Sequence, residues 1–366
     1  MTRAHRPGIL LVNDSLRLGG TEGQFVEAVC RLDQSRWDVH VTCLRAEGPH
    51  APRVLAAGLT PWSCGRGSFK SPRFATAVWA LAREIRRRRI ALVHTFDFYS
   101  NILGVAAARL AGVPVIASQR DMGDVRQRGQ QIAQRIALRC ATAVVVNGEA
   151  IAGRLRAEGL DGRRIAVVPN GVDLQRFADG APARRFDRQR IGSLANLRPE
   201  KGMQYLLHAA VLVREQFPAA RIDIWGDGPM RGQLERLVTT LGVGGTVTLH
   251  GKTEQPQRVL DDLDIFVLPS LSEGRSNVLL EAMAGGLAVI ATDVGDSAAV
   301  VEDEVTGLVV ARADPAALAK AIVRLLESPD LTTALAGRAR ARVMSEWSMP
   351  GMLARLDDLY ARTLGR

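Results

Sequence analysis

Short apolar runs punctuate the chain at regular intervals. Residues 9–12, 39–44, 90–93, 113–117, 143–146 and 165–168 are rich in Val, Ile and Leu, and each is bounded by polar or Gly/Pro-containing stretches. A second series follows at 191–194, 221–225, 246–250, 265–268, 288–291 and 308–310. Such continuous apolar runs predict strands buried on both faces. Helical patterns lie between them. Phe74, Val78, Leu81 and Ile85 repeat at helical spacing over 74–89, and 149–158 stops at Gly159. Residues 314–326, 332–346 and 349–364 read as closing helices. Strands alternating with helices predict an α/β fold, with a doubly wound parallel sheet in each half of the chain. At 366 residues this means two domains. The polar, basic stretch 180–190 is the expected linker, which gives 1–182, 183–346 and a terminal helix at 347–366.

Charge divides the halves. Residues 1–185 hold 28 basic against 15 acidic side chains, whereas 186–366 hold 20 against 23. The basic half should face something anionic. No aromatic interleaving or nucleic-acid motif accompanies the arginines, so nucleic acid is not the expected partner. An anionic membrane surface fits better, and Arg86, Arg87, Arg88 and Arg89 at a helix end are its candidate contact. No apolar run reaches the ~18 residues that span a bilayer, and the first residues lack a signal-peptide pattern. A cytoplasmic protein, peripheral on the inner face of the cytoplasmic membrane, is therefore expected. Cys30, Cys43, Cys64 and Cys140 match no metal or redox spacing, so they read as free thiols.

The candidate chemistry concentrates in LPSLSEGRSNVLLEAMAGG, residues 268–286. Pro269 stops a strand, a polar loop follows, and a helix capped by Asn277 begins at Val278. A helix N-terminus suits a phosphate, because its first N–H groups lack intrahelical partners and its dipole is positive there. Glu273 in the loop and Glu281 one turn into the helix then suit neutral hydroxyls. Read alone, the pair is ordinary surface chemistry; read with the helix start, it describes a sugar-nucleotide site.

Other loops add to it. Gly19 and Gly20 permit close backbone approach after the first strand, with Thr21 as the expected helix cap. Arg198 and Lys201, at a loop–helix junction, can converge on one anion. His94 ends a strand in the position where α/β sheets gather ligands, although a structural histidine is an equal reading. Arg120 and Asp121 end the next strand, where Arg120 can bind a phosphate or pair with Asp121 or Asp124. The glycines of GDGPMRG are not a dinucleotide fingerprint.

Together these motifs resemble the retaining glycosyltransferases of family 4, which have the GT-B architecture of two Rossmann-like domains facing a cleft. The resemblance covers almost the whole chain, through the GG-x-E loop, VPNGVD, Arg198 and Lys201, GDGP, and the E-x7-E stretch. It implies an acceptor-binding first domain, a donor-binding second domain and a last helix crossing back to the first. It implies transfer of a sugar from a nucleotide diphosphate sugar to the hydroxyl of a lipid-linked or glycan acceptor, with retention and without a metal or other cofactor. Envelope or exopolysaccharide assembly is the usual setting.

By the same resemblance, Glu281 holds the ribose and Glu273 the donor sugar. Arg198, Lys201 and the helix amides hold the diphosphate, and Gly251 and Lys252 lie in the base-binding loop. Gly19, Gly20, Gly274, Arg275, Ser276 and Asn277 complete the donor shell. The catalytic set is Glu273, Arg120, Asp121 and His94. The sequence departs from the family where a His-Asp pair is usual: Gln119 or Arg120 takes the His position. It departs again at Asp296 and Ala299. A non-enzymatic sugar-nucleotide-binding partner and a nucleotide-sugar 2-epimerase are the alternative readings. A glycogen-type phosphorylase would need a cofactor lysine that Lys70, Lys201, Lys252 and Lys320 do not supply.

Overall fold

Among the described residues every strand that pairs with another does so in parallel, as buried apolar runs without alternation require. A computed structural model describes residues 6–65, 71, 73–124, 126–177, 186 and 188–366. They form two units, one of Met1–Asn170 with Pro350–Arg366 and one of Gly171–Met349. The change of unit thus falls inside the VPNGVD stretch, and most of 180–190 lies outside the described residues.

In the first unit β1 (Gly8–Ser15), α1 (Gly20–Arg31), β2 (Asp38–Arg45), α2 (Ala51–Ala56), β3 (Trp62–Ser63) and α3 (Arg73–Arg87) come first. Then follow β4 (Ile90–Thr95), α4 (Phe98–Ala111), β5 (Val115–Gln119), α5 (Arg128–Cys140), β6 (Ala143–Val146), α6 (Glu149–Ala157) and β7 (Ile165–Val167). The sheet order is β3-β2-β1-β4-β5-β6-β7, so the chain reverses direction across the sheet between β1 and β4. Ile9, Leu10, Leu11 and Val12 of the central β1 are wholly buried. Gly104 lets α4 lie close on β4, because a Cβ there would meet the Thr95 methyl at 2.4 Å.

Two local expectations change. Gly19, not Thr21, precedes the first turn of α1, and no side chain caps it. The helix predicted over 74–89 ends at Arg87, and Arg89 has a φ of 54°. Three of the arginines there are engaged with the protein itself. Arg87 and Arg88 pair with Glu84 at 2.7 and 3.0 Å, Arg86 donates to the Leu110 carbonyl, and Arg88 stacks over Trp62. Glu84 is held down to about 2, first by its bond to Arg87.

The second unit contains β8 (Arg190–Leu194), α7 (Met203–Gln216), β9 (Arg221–Trp225), α8 (Arg231–Thr240), β10 (Val247–Leu249), α9 (Pro256–Asp261) and β11 (Ile265–Leu268). It continues through α10 (Asn277–Ala284), β12 (Ala288–Thr292), α11 (Ser297–Val300), β13 (Leu308–Val310), α12 (Pro315–Glu327) and α13 (Pro329–Glu346). Its sheet order is β10-β9-β8-β11-β12-β13, with the reversal between β8 and β11.

The last helix, α14 (Met349–Thr363), joins the first unit from Pro350 onward. Its Tyr360 is fully buried and meets Trp37 edge to face at 6.2 Å, while Asp357 accepts from Arg36 and the Trp37 indole. No helix among the described residues is long and apolar enough to cross a membrane.

Candidate active site

Loops leaving two strands on either side of a reversal point open onto a common crevice beyond the carboxyl edge of the sheet. In the second unit those strands are β8 and β11. The β8 loop brings Arg198 and Lys201, and the β11 loop brings Ser270 and Glu273. Lys201 and Ser270 converge on one oxygen of Glu273. Lys201 Nζ lies 2.6 Å from Glu273 Oε1, and Ser270 Oγ donates to that same oxygen at 2.7 Å. Glu273 Oε2 has no partner among the described residues.

The backbone fixes this loop from both sides. Gly202 has a φ of +63°, and a Cβ there would stand 2.0 Å from the Pro269 carbonyl oxygen. Gly295 has a φ of +53°, and its Cβ would stand 1.9 Å from the Glu273 carbonyl oxygen. Only glycine meets both conditions without displacing the loop. Leu271 N–H donates to the Glu200 carbonyl at 2.7 Å, Asp296 N–H to the Gly274 carbonyl at 3.2 Å, and Thr292 Oγ1 to the Ser270 carbonyl at 2.6 Å.

Helix α10 starts where the loop ends, with one correction. Ser276, not Asn277, is the cap: its side chain accepts from Leu279 N–H at 3.4 Å, and Asn277 is the first helical residue. Glu281 follows one turn in and is half-buried. Arg275, expected in the donor shell, lies largely inside the unit. Its guanidinium is turned inward, 3.3 Å from Asp296 and 5.1 Å from the centre of Trp347, where burial pushes its pKa down. There it braces the loop against Asp296 and Trp347. Arg198 remains 58% exposed, with Glu200 3.9 Å away. The Gly251 carbonyl accepts from Gly226 N–H at 3.0 Å, and Lys252 is exposed.

The first unit has its reversal at β1 and β4, and there the structure shows a pair that sequence reading missed. Asp14, near the end of β1, accepts from Ser100 N–H at 2.6 Å and Tyr99 N–H at 3.3 Å. Asp97 caps the same helix, α4, through Phe98 N–H at 2.7 Å. Burial, then the charge on Asp97, pushes Asp14 up to about 7, and burial raises Asp97 as well.

His94, expected in the catalytic set, lies inside the first unit. It is 0% exposed and both ring nitrogens are used, by Tyr360 Oη at 2.7 Å and Ser118 Oγ at 2.8 Å. Burial pushes it down to about 3, so it is a neutral anchor for α14. Arg120 pairs with neither expected aspartate. It donates to Asn170 Oδ1 and lies 6.0 Å from the centre of Phe96, while burial lowers it to about 10. Asp121 instead pairs with Arg126 at 2.8 Å, and Asp124 with Arg154. Gly19 precedes α1 and Gly20 begins it, beside a 3.4 Å bond from Ser15 Oγ to Glu22.

Two family models match consecutive parts of the chain, glycosyltransferase family 4 over 18–176 and glycosyl transferases group 1 over 188–328. A D-inositol 3-phosphate glycosyltransferase of Arthrobacter sp. (strain FB24) is 30% identical over 74% of this chain and 71% of its own length. The chain belongs to glycosyltransferase family 4. An Escherichia coli relative, UDP-Gal:alpha-D-GlcNAc-diphosphoundecaprenol alpha-1,3-galactosyltransferase, is 24% identical over 94% of both chains. Among solved structures, Anabaena Alr3699/HepE in complex with UDP-glucose aligns with a TM-score of 0.86 at 18% identity, covering 97% of this chain and 99% of that one. The fold is thus GT-B, and the chain is a glycosyltransferase.

Proposed function

We propose that this family 4 enzyme transfers a hexosyl or N-acetylhexosaminyl unit from a UDP-sugar to a hydroxyl of a lipid-linked or glycan acceptor. Transfer retains the anomeric configuration, needs no metal, and takes place on the inner face of the cytoplasmic membrane. The observation that carries the reading is the half-used carboxylate. Glu273 Oε1 is fixed by Lys201 and Ser270, which leaves Oε2 to accept from a sugar hydroxyl. Glu281, one turn into α10, is the ribose acceptor. The first turn of α10 and the exposed Arg198 take the diphosphate.

As the bond to the anomeric carbon breaks, negative charge grows on the leaving diphosphate. Donors already held in place stabilise it without reorganising. Lys201 lies in the same constellation and adds positive potential close to the charge that develops. The UDP-glucose of the Anabaena neighbour supports a uridine donor. The diphosphoundecaprenol substrate of the E. coli relative supports a lipid-linked acceptor.

The test supplies UDP-galactose, UDP-glucose and UDP-N-acetylglucosamine, each labelled in the sugar, with bacterial lipid extract and EDTA. The reading expects label to enter the lipid phase with release of UDP, and an α-linked product by NMR. UDP binding without any transfer would favour a sugar-nucleotide-binding partner. A changed sugar still attached to UDP would favour an epimerase.

A further inference from the structure

Helices α5 and α6 and the loop after β5 line an open pocket of about 50 Å³ within the first unit. Met122, Leu138, Leu155 and Leu160 give it apolar walls. Arg126, Arg135, Arg139 and Arg154 bring four cations. Three carboxylates answer them. Asp121 takes Arg126 at 2.8 Å, Asp124 takes Arg154, and Glu158 takes Arg154 at 3.1 Å and Arg135 at 3.2 Å. Arg139 reaches only a backbone carbonyl, that of Glu158 at 3.2 Å. One positive charge is left over.

Gln134 also lines this pocket. It is 4% exposed, and neither its Oε1 nor its Nε2 has a hydrogen-bond partner among the described residues. A buried amide without partners is costly, so folded proteins rarely keep one unless something else meets it. The amide offers one acceptor and donors, beside an unbalanced cation. A phosphate with a neighbouring hydroxyl satisfies both.

The outer side of α5 indicates where that phosphate comes from. Ile132 and Ile136, one turn apart, are each 58% exposed. An apolar pair amid arginines on a helix beside an apolar-walled pocket matches an amphiphile rather than a free anion. We propose that the α5–α6 pocket binds the phosphate headgroup of an anionic membrane lipid, with Ile132 and Ile136 resting in the bilayer interface. This deepens the membrane-side part of the proposed function and rests on it for the presence of a bilayer. It moves the contact from the end of α3, where Arg87 and Arg88 are already paired with Glu84 and Arg86 with the Leu110 carbonyl, to α5.

The test is flotation with vesicles of 30% phosphatidylglycerol in phosphatidylcholine, against phosphatidylcholine alone and against inorganic phosphate in a melting assay. The wild-type protein should float only with the anionic vesicles, and less at ~0.5 M salt, where screening shortens the reach of charge. Gln134→Met should float at least ten-fold less. It should melt no lower than wild type without lipid, because it loses a polar group that has no partner. Ile132→Ser with Ile136→Ser should also reduce flotation while leaving the melting temperature unchanged.

Flotation of Gln134→Met equal to wild type would overturn the proposal. So would a melting shift with inorganic phosphate as large as that with anionic vesicles, which would make the ligand a free anion. A lower melting temperature for Gln134→Met with unchanged flotation would mean that the amide holds internal water. UDP affinity is measured on the same proteins. It should be the same in wild type and all three substitutions, so a protein that binds UDP but does not float refutes the lipid site alone, and one that floats but binds no UDP refutes the donor reading alone.

Discussion

His94 and Glu273 belong to corresponding strands of two sheets with the same reversal, yet only one of them keeps chemistry to spare. His94 is part of β4 itself, in register with Leu11 on one side and Ile116 on the other. Strand neighbours and Tyr360 enclose it, and both nitrogens are spent on the fold. Glu273 lies five residues beyond β11, in a loop that two glycines hold open. One oxygen anchors the loop and the other is unassigned. Both residues are buried, so burial does not separate structure from function here. The count of unused donors and acceptors does.

The largest effect is expected in the second unit, at Glu281. Glu281→Ala should cost roughly 2–4 kcal/mol of transition-state stabilisation, as for loss of a charged hydrogen bond in a buried site. That is a fall in kcat/KM of about thirty-fold to a thousand-fold, with little change in melting temperature. A variant with full activity and unchanged UDP affinity would remove Glu281 from the site.

Next comes the frame around Glu273. Gly295→Ala imposes a left-handed conformation that costs about 1–2 kcal/mol, and it drives a Cβ into the Glu273 carbonyl. Thermal melting should fall and transfer should fall further, because the loop must shift. Lost activity with unchanged stability would mean that the glycine faces a ligand; no effect on either would show that the loop is not held there.

The smallest effect belongs to the spent side and appears in pH dependence. His94 titrates at about 3 in the fold against 6.5 in its unperturbed state. Below 6.5 the unfolded chain takes up a proton that the fold refuses. The stability contributed by the neutral ring is therefore complete above 6.5, and it is lost by ~1.4 kcal/mol for each pH unit as pH falls towards 3. His94→Gln removes this slope. The stability gap between wild type and variant, measured by urea unfolding, should shrink by about 2 kcal/mol between pH 6.5 and 5. Activity at pH 7.5 should be retained. A gap independent of pH, or a selective loss of kcat, would return His94 to the catalytic set.

The strands and the 268–286 stretch were legible because local pattern dictates them: continuous apolar runs, a proline stop, a polar loop and a helix start. Side-chain partners were not, since they come from distant parts of the chain. Nothing near Arg275 in sequence indicates that Asp296 and Trp347 draw it inward. Nothing near His94 announces Tyr360, 266 residues away. Ser270 and Thr292 are short hydroxyl residues whose work appears only when β11 and β12 lie side by side. The Asp14–Asp97 pair likewise depends on β1 lying next to β4. Gly202 and Gly295 left a faint signal, as glycines in loops after strands, but the carbonyls they spare are 67 and 22 residues away.

The account rests on Glu273 reading the sugar while other groups hold the nucleotide. Titration calorimetry of UDP and of the preferred UDP-sugar, on wild type and Glu273→Gln, tests that division directly. Gln keeps the shape and an acceptor for Ser270 but removes the charge. The account predicts that UDP binds both proteins within about two-fold, and that the extra affinity supplied by the sugar, together with transfer, disappears in the variant. Equal loss of UDP and UDP-sugar affinity, or full sugar discrimination in Glu273→Gln, would contradict it.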